Sequence, residues 1–454
     1  MSWTLPEILS ATGGELLRWG PGPFSGFSTD SRTLVAGEVF VALPGPRFDG
    51  HEFLVDVAER GASAAIASSG ELPGSGAYVR VADGVRALGD LAAARRRGLP
   101  VRVVGVTGSN GKTTTKEMIA AVLAAGGANV AKSRGTENNL VGLPQTLLRL
   151  SGEEDFAVLE MGMNHPGEIW RLAEIARPDV GVITNVGPAH LENLGSLANV
   201  AAAKEELALA LAPHATLVIN GADPRLVDIG QRFPGRTIVA GGSGPIRAVS
   251  SSASLRGQRV EVDVEGERKS IEIAMRGAHN VQNAVLALAA GVALGLPLDV
   301  AVDGLHRFTP PPMRLEVVDL PSGARVLNDA YNANPASMVA ALAALAAEPG
   351  RRRIAVLGEM WELGDGAGRY HREVGRAAGA LGIDRLVAVG RHADEMADGA
   401  AEAGLRAGAV ERAASTTEAS QWLAGRLGAG DVVLVKGSRA AHMEEIVQAL
   451  RSRG

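Results

Sequence analysis

Val101-Arg102-Val103-Val104-Gly105-Val106 runs directly into Thr107-Gly108-Ser109-Asn110-Gly111-Lys112-Thr113-Thr114-Thr115. The first six residues form an apolar, β-branched run that predicts a strand, and a helix is predicted over about 115–125. Glycines in the connecting turn let backbone N–H groups point inward and surround phosphate oxygens, and the helix N-terminus adds partial positive charge. Lys112 can then reach the outer phosphates of a nucleotide, and the Thr113 hydroxyl can ligate Mg²⁺. Thr107, Gly108, Ser109, Asn110, Gly111, Lys112, Thr113 and Thr114 are accordingly the expected nucleotide contacts. The loop departs from the plain phosphate-loop pattern. Counting back from Gly111, the first glycine slot holds Val106, and glycines stand at Gly105 and Gly108 instead.

The pattern extends outward from this turn. Strands are expected at Phe156–Leu159, Val180–Thr184 and Thr216–Asn220, with helices between them at about 140–150, 167–176 and 198–211. Strands alternating with helices imply a parallel sheet covered on both faces. Residues 245–275 alternate as antiparallel strands do, as in Arg259-Val260-Glu261-Val262-Asp263-Val264, and a helix over 280–295 comes next. Towards the N-terminus, Val39–Leu43 and Ala64–Ala67 read as short strands divided by turn signals at Pro44-Gly45-Pro46, Asp49-Gly50 and Pro73-Gly74. Arg95-Arg96-Arg97, with Gly98 and Pro100, reads as a linker. Past the stiff joint Phe308-Thr309-Pro310-Pro311-Pro312, a second α/β pattern has strands near 325–329, 353–358, 385–389 and 431–436. Three domains are expected: 1–98, 99–309 and 310–454.

Composition narrows the function classes. The 454 residues suit two to four domains. A net charge of -5 gives no reason to expect nucleic acid as a partner. The absence of cysteine excludes disulfides, thiolate metal sites and cysteine nucleophiles. The N-terminus lacks a basic segment followed by an apolar core, so no signal peptide is expected. The longest apolar run, Ala284 to Leu298, is broken by glycine and proline and is short of the ~20 residues of a spanning helix. A cytoplasmic protein that does not insert into a membrane is expected, with a monomer as the default.

The Gly-x-x-Gly-Ser-Asn-Gly-Lys-Thr-Thr run resembles the ATP loop of the Mur ligases and folylpolyglutamate synthetases, which join an amine to a carboxylate. Several other segments are similar to Mur ligase motifs. The resemblance implies that the carboxylate is activated as an acyl phosphate, a step in which two anions meet and which needs cationic groups and divalent metal. By the same resemblance, Glu160, in Glu160-Met161-Gly162, and His190, in Gly187-Pro188-Ala189-His190, correspond to metal ligands that act with Thr113. Lys204 sits where several members carry a carbamylated lysine. Lys112, Glu160, His190 and Lys204 make up the expected catalytic set. His279-Asn280-Val281-Gln282-Asn283-Ala284 is similar to a family segment that places Asn283 at the adenine edge, with Asn280 nearby. Arg314 and Asp329 would meet ATP from the C-terminal side, and His371 and Lys436-Gly437-Ser438-Arg439 are further family-like positions.

The N-terminal block, with Ser28-Thr29-Asp30-Ser31-Arg32 and Phe48-Asp49-Gly50-His51, resembles the UDP-sugar-binding domain of two Mur ligases. It makes Ser31, Arg32, Asp49 and His51 substrate contacts. Asn138-Asn139-Leu140-Val141-Gly142-Leu143-Pro144, Asp329-Ala330-Tyr331-Asn332-Ala333-Asn334-Pro335 and Leu357-Gly358-Glu359-Met360-Trp361-Glu362-Leu363-Gly364 resemble the member that adds D-alanyl-D-alanine to a UDP-muramoyl tripeptide. They add Asn138, Asn139, Asn332 and Asn334 to the expected substrate contacts. The fold implied is a small α/β UDP-binding domain, a central P-loop parallel-sheet ATPase domain and a C-terminal Rossmann-like α/β domain for the incoming dipeptide. Substrates would be small molecules, with ATP and Mg²⁺ required for a step in peptidoglycan precursor synthesis. The alternative within the family is the ligase that adds the third amino acid, although the Asp-Asn-Pro-Arg motif of its diaminopimelate-adding members is absent. A nucleotide-binding switch without chemistry is the reading from another class. The trio Glu160, His190 and Lys204 argues against it, because a switch needs no carboxylate-activation cluster.

Overall fold

A computed structural model describes residues 2–45, 48–135, 137–254 and 257–452. Pro46 of the expected Pro44-Gly45-Pro46 turn lies outside these residues. Three sheets are present. The first has the spatial order Glu15–Arg18, Ala77–Arg80, Ala64–Ala67, Val39–Val41, Phe27–Ser28. Its pairs are parallel except the first, which is antiparallel. Side chains along a strand point alternately to opposite faces, and the alternation here fills two cores. Val39, Val41, Ala64, Ile66, Ala77 and Val79 pack with Leu88 and Leu91. Phe40, Ala42, Ala65, Ala67 and Tyr78 pack with Leu54, Val57 and Leu72.

The central sheet has nine strands. Starting from its antiparallel end, their order is Glu267–Ile273, Gln258–Val264, Ile246–Ala253, Arg236–Ala240, Thr216–Asn220, Val180–Ile183, Arg102–Thr107, Phe156–Glu160 and Val130–Lys132. Arg102–Thr107 and Phe156–Glu160 pair in parallel, and the register sets Val106 opposite Glu160. Both strands are buried on both faces, which is why they read as unbroken apolar runs.

The third sheet orders Glu316–Asp319, Arg325–Asp329, Asp431–Lys436, Arg352–Leu357, Arg385–Val389 and Val410–Ala413. All its pairs but the first are parallel. Leu327, Ala355, Leu357, Leu386, Leu434 and Val432 face one core, while Val326, Ile354, Val356, Val387, Val433 and Val435 face another.

The chain falls into two compact units interleaved in sequence. One takes the chain up to Thr107 with Gly127–Gly181 and Glu206–Thr216. The other takes Gly108–Gly126, Val182–Glu205 and everything from Leu217 onward.

One expectation needs correction. Arg95-Arg96-Arg97 is not a linker but the last turn of the helix Gly84–Arg97, which Asp83 caps at its other end. Basic side chains at a helix C-terminus meet the negative end of its dipole. Two of these guanidiniums also satisfy carbonyls elsewhere in the same unit: Arg95 donates to Leu150 O, and Arg96 Nε donates to Ala176 O at 2.8 Å. The helix after the phosphate loop begins at Lys112, earlier than periodicity suggested. Among the described residues no helix is long and apolar enough to cross a membrane.

Candidate active site

In the first unit, the strand Arg102–Thr107 delivers the root of the loop. Thr107 Oγ1 donates to Met161 O at 2.8 Å, which ties that root to the turn following Glu160. A β-carbon on Gly105 would lie 2.9 Å from the Met161 side chain and 3.0 Å from Pro178, so close packing explains a glycine there. Glu160 is buried at the end of its strand. Its backbone N–H donates to Ser133 Oγ at 3.0 Å, and its Oε1 accepts from Asn138 Nδ2 at 2.8 Å. Asn138, expected to face substrate, therefore orients this carboxylate. Asn139 Oδ1 accepts from the N–H groups of Val141 and Gly142, starting the helix Gly142–Leu148.

The N-terminal residues of the same unit are mostly self-contained. Both ring nitrogens of His51 are engaged: Nδ1 lies 2.5 Å from Asp49 Oδ1, and Nε2 accepts from Ser68 N at 3.1 Å. The backbone N–H of His51, followed by its ring, holds the Asp49 carboxyl below the usual carboxylate range. Arg32 is exposed and grips Asp30 through Nε and Nη2. That pairing lowers the Asp30 carboxyl to about 2. Ser31 sits half-buried in the intervening turn.

The second unit carries the loop proper. Gly108 has φ +143°, and a β-carbon there would lie 1.9 Å from Thr184 Oγ1. Gly111 has φ +80°, and its β-carbon would lie 2.5 Å from Asn283 Oδ1. These two positions, not the plain-pattern slot at Val106, are where the turn demands glycine. Ser109 and Asn110 act as braces. Ser109 N donates to Asn185 O at 3.0 Å, and its hydroxyl bonds Gly187. Asn110 N donates to Asn185 Oδ1 at 2.9 Å, while Asn110 O accepts from Thr184 Oγ1 and Asn185 Nδ2. Both backbone amides are thus already used, and no side chain caps the N-terminus of the helix Lys112–Ala125, which leaves that first turn open to an anion. Thr114 is buried in that turn. Lys112 Nζ donates to Gly108 O at 2.8 Å.

Residues distant in sequence converge on this loop. Arg314 Nη2 donates to Thr113 Oγ1 at 2.9 Å. The Arg314 guanidinium lies 4.1 Å from the centre of the Tyr331 ring, in cation–π range. Its neighbours Met313 and Leu315 both hold left-handed backbone, at φ +57° and +50°. Leu315 N donates to Asp329 Oδ1 at 3.1 Å, and Lys436 Nζ donates to Asp329 Oδ2 at 2.6 Å. Asp329 therefore shapes the turn that presents Arg314. Asn334 bonds Asn110 Oδ1 through Nδ2 at 2.7 Å and caps the helix Pro335–Ala346 through Oδ1. The carbonyl of Asn332 accepts from Lys436, and its Oδ1 accepts from Ala333 N. Asn283 is buried, with its amide nitrogen on Asn280 Oδ1 and its oxygen against Gly111. His190 holds φ +54° at the start of the turn Leu191–Leu194, with Nδ1 2.6 Å from Glu362 Oε2. Lys204 is fully buried on the helix Leu197–Ala210.

Sequence reasoning did not single out Thr184, Asn185, Tyr331 or Glu362. Asn185 stands just past a strand end, the usual place for site residues in open α/β sheets, and that position was a usable signal. Among the described residues no three His, Asp or Glu side chains form a metal cage. Mg²⁺ at a nucleotide takes only one or two protein carboxylates beside phosphate oxygens and water. A hydroxyl at Thr113, a carboxylate at Glu160 and an imidazole at His190 suit that donor chemistry.

Comparison with known proteins agrees with this geometry. Residues 106–291 match the Mur ligase middle domain, 313–439 the Mur ligase glutamate ligase domain, and 23–104 the Mur ligase family catalytic domain. The UDP-N-acetylmuramoyl-tripeptide--D-alanyl-D-alanine ligase of Escherichia coli is 37% identical over 460 residues, covering 100% of this chain and 99% of its own. A crystal structure of MurF from Acinetobacter baumannii superposes with a TM-score of 0.93 at 32% identity, over 100% of this chain and 99% of that one. MurF of Thermotoga maritima, solved in complex with ADP, gives 0.86 at 29% identity, over 94% and 97%. A phosphate loop braced by Asn185, faced by Arg314 and set in a chain that matches such relatives from end to end leads to one conclusion: the chain belongs to the Mur ligase family.

Proposed function

We propose that the protein joins D-alanyl-D-alanine to the terminal carboxylate of UDP-N-acetylmuramoyl-tripeptide, with ATP as co-substrate. The products are UDP-N-acetylmuramoyl-pentapeptide, ADP and phosphate. The observation that carries this reading is the convergence of Lys112, Arg314 and the Asp329–Lys436 pair around the phosphate loop, in a chain whose full-length relatives bear the dipeptide-adding name. Those names favour it over addition of the third amino acid.

The reaction balances in two steps. A carboxylate oxygen of the tripeptide attacks the γ-phosphorus of ATP, the bridging P–O bond breaks, and ADP leaves. The amine of D-alanyl-D-alanine, having lost a proton, attacks the acyl carbon. A tetrahedral intermediate collapses, the C–O bond breaks and phosphate departs. Lys112 and Arg314 carry the positive charge that lets two anions approach. Asp329 and Tyr331 hold Arg314 in place, and Asn185 and Thr184 hold the loop. Thr113, Glu160 and His190 are the residues assigned to Mg²⁺, which would supply further neutralisation of phosphate charge. Lys204 is assigned as the carbamylated lysine of the family pattern. Carbamylation would turn this buried cation into an anion, a group suited to the shell of a divalent metal. Residues 1–98 are assigned to the UDP-sugar, 99–309 to ATP and 310–454 to the dipeptide, whose contacts would include Asn332. A monomeric, cytoplasmic enzyme acting on small molecules completes the reading.

The test is direct. Purified protein with Mg-ATP and UDP-muramoyl-tripeptide is expected to release phosphate only when D-alanyl-D-alanine is added. Release driven instead by a single diamino acid, with UDP-muramoyl-dipeptide as acceptor, would transfer the assignment to the third-residue ligase.

A further inference from the structure

We propose that Glu362 is a positioning residue for the metal centre: its carboxylate fixes the His190 ring so that Nε2, not Nδ1, faces the divalent cation. This rests on the reading of His190 as a metal ligand.

Glu362 Oε2 lies 2.6 Å from His190 Nδ1. Nδ1 is otherwise shut away from solvent, so this carboxylate is what the nitrogen faces. Both residues keep left-handed backbone, φ +54° at His190 and +63° at Glu362. Non-glycine residues hold that conformation only when their surroundings impose it. Two residues past His190, Glu192 N lies 3.4 Å from Glu362 O.

The segment carrying Glu362 is braced from behind. Gly358 N donates to Lys436 O at 2.8 Å, and Ser438 N donates to Glu359 O at 2.9 Å. Met360 N donates to His371 Nε2 at 2.9 Å, and Trp361 N donates to Ser438 Oγ at 3.0 Å. His371 is wholly buried, and its Nδ1 is 2.7 Å from Ala367 O. An irregular segment held at four successive residues has little freedom, so the carboxylate it ends on is placed rather than adventitious.

A histidine that binds a metal through one nitrogen commonly gives the other N–H to a carboxylate, which sets the tautomer and the ring plane. Removing that partner typically costs about 10–100-fold in metal affinity. The pair links a residue near position 190 to one near 360, so the C-terminal sequence contributes to a centre otherwise read from the first half of the chain.

Mn²⁺ can be titrated into the full-length protein holding a non-hydrolysable ATP analogue, with free Mn²⁺ read by its paramagnetic resonance signal. Glu362→Ala is expected to weaken Mn²⁺ binding about tenfold or more, and to leave binding of the analogue without metal unchanged. Glu362→Gln, whose amide oxygen still accepts from Nδ1–H, is expected to recover most of the loss. Mn²⁺ affinity within twofold of the parent in Glu362→Ala, together with a loss in His190→Ala, overturns the positioning role. Glu362→Gln as weak as Glu362→Ala overturns it too, because charge and not orientation would then be at work. An unchanged affinity in His190→Ala instead removes the ligand reading beneath it.

Discussion

A β-carbon at position 108 would overlap Thr184 Oγ1, at a separation of 1.9 Å, and the φ of +143° is one that L side chains rarely adopt. Gly108→Ala must therefore move the loop or the strand end beside it. We expect a stability loss of about 2 kcal/mol or more in denaturant unfolding, and at least a tenfold drop in phosphate release, because the Gly108 carbonyl is also what Lys112 leans on. Wild-type turnover in this variant would show that the loop tolerates a different shape. At this scale the sequence was readable wherever chemistry is local. Gly111, Lys112 and Thr113 announce themselves because loop and helix are contiguous. Asn334 on Asn110, Tyr331 under Arg314 and Glu362 at His190 do not, because none of these side chains carries a local signature and each has many ordinary employments. Asn139 and His51 are expected at the substrate, and Asn139 Oδ1 and the His51 ring nitrogens also bond within the protein.

Strands buried on both faces were the most legible elements. Thr216–Asn220, Arg325–Asp329, Arg385–Val389 and Asp431–Lys436 lie where the apolar runs put them. Val130–Lys132, Phe27–Ser28 and Glu15–Arg18 escaped notice because each is a short edge strand and at most half-buried, so the alternation that marks a strand has no room to develop. Among irregular elements, Gly358–Leu363 depends on a neutral His371. Burial pushes that imidazole below its ordinary value. In the unfolded chain it takes up a proton near pH 6.5, whereas in the folded chain it does so only at lower pH. Its contribution to stability is therefore complete above about 6.5 and is lost as pH falls, at up to about 1.4 kcal/mol per pH unit. Urea midpoints at pH 7.5 and 5.5 should separate more in the parent than in His371→Gln. Parallel shifts in the two proteins would rule out His371 as a source of acid sensitivity.

Across the whole molecule the three sheets differ in self-sufficiency. Among the described residues, both cores of the C-terminal sheet draw on the span between Leu315 and Leu450. A fragment spanning 310–452 is thus expected to fold alone and to melt in one cooperative transition followed by circular dichroism, and a featureless melt would place the boundary elsewhere. The central sheet offers no such cut, because the two compact units trade segments along the chain at Thr107, Gly126, Gly181, Glu205 and Thr216. The brace on Asn110, whose backbone N–H and carbonyl and whose side chain are all taken, has a further consequence for ligand design. The entropy of shaping the phosphate turn is spent during folding, so nucleotide association need not wait for the turn to reorganise. An inhibitor that demands another curvature must first break those bonds and forfeits their free energy from its affinity. Compounds moulded to the existing turn hold the advantage in residence time.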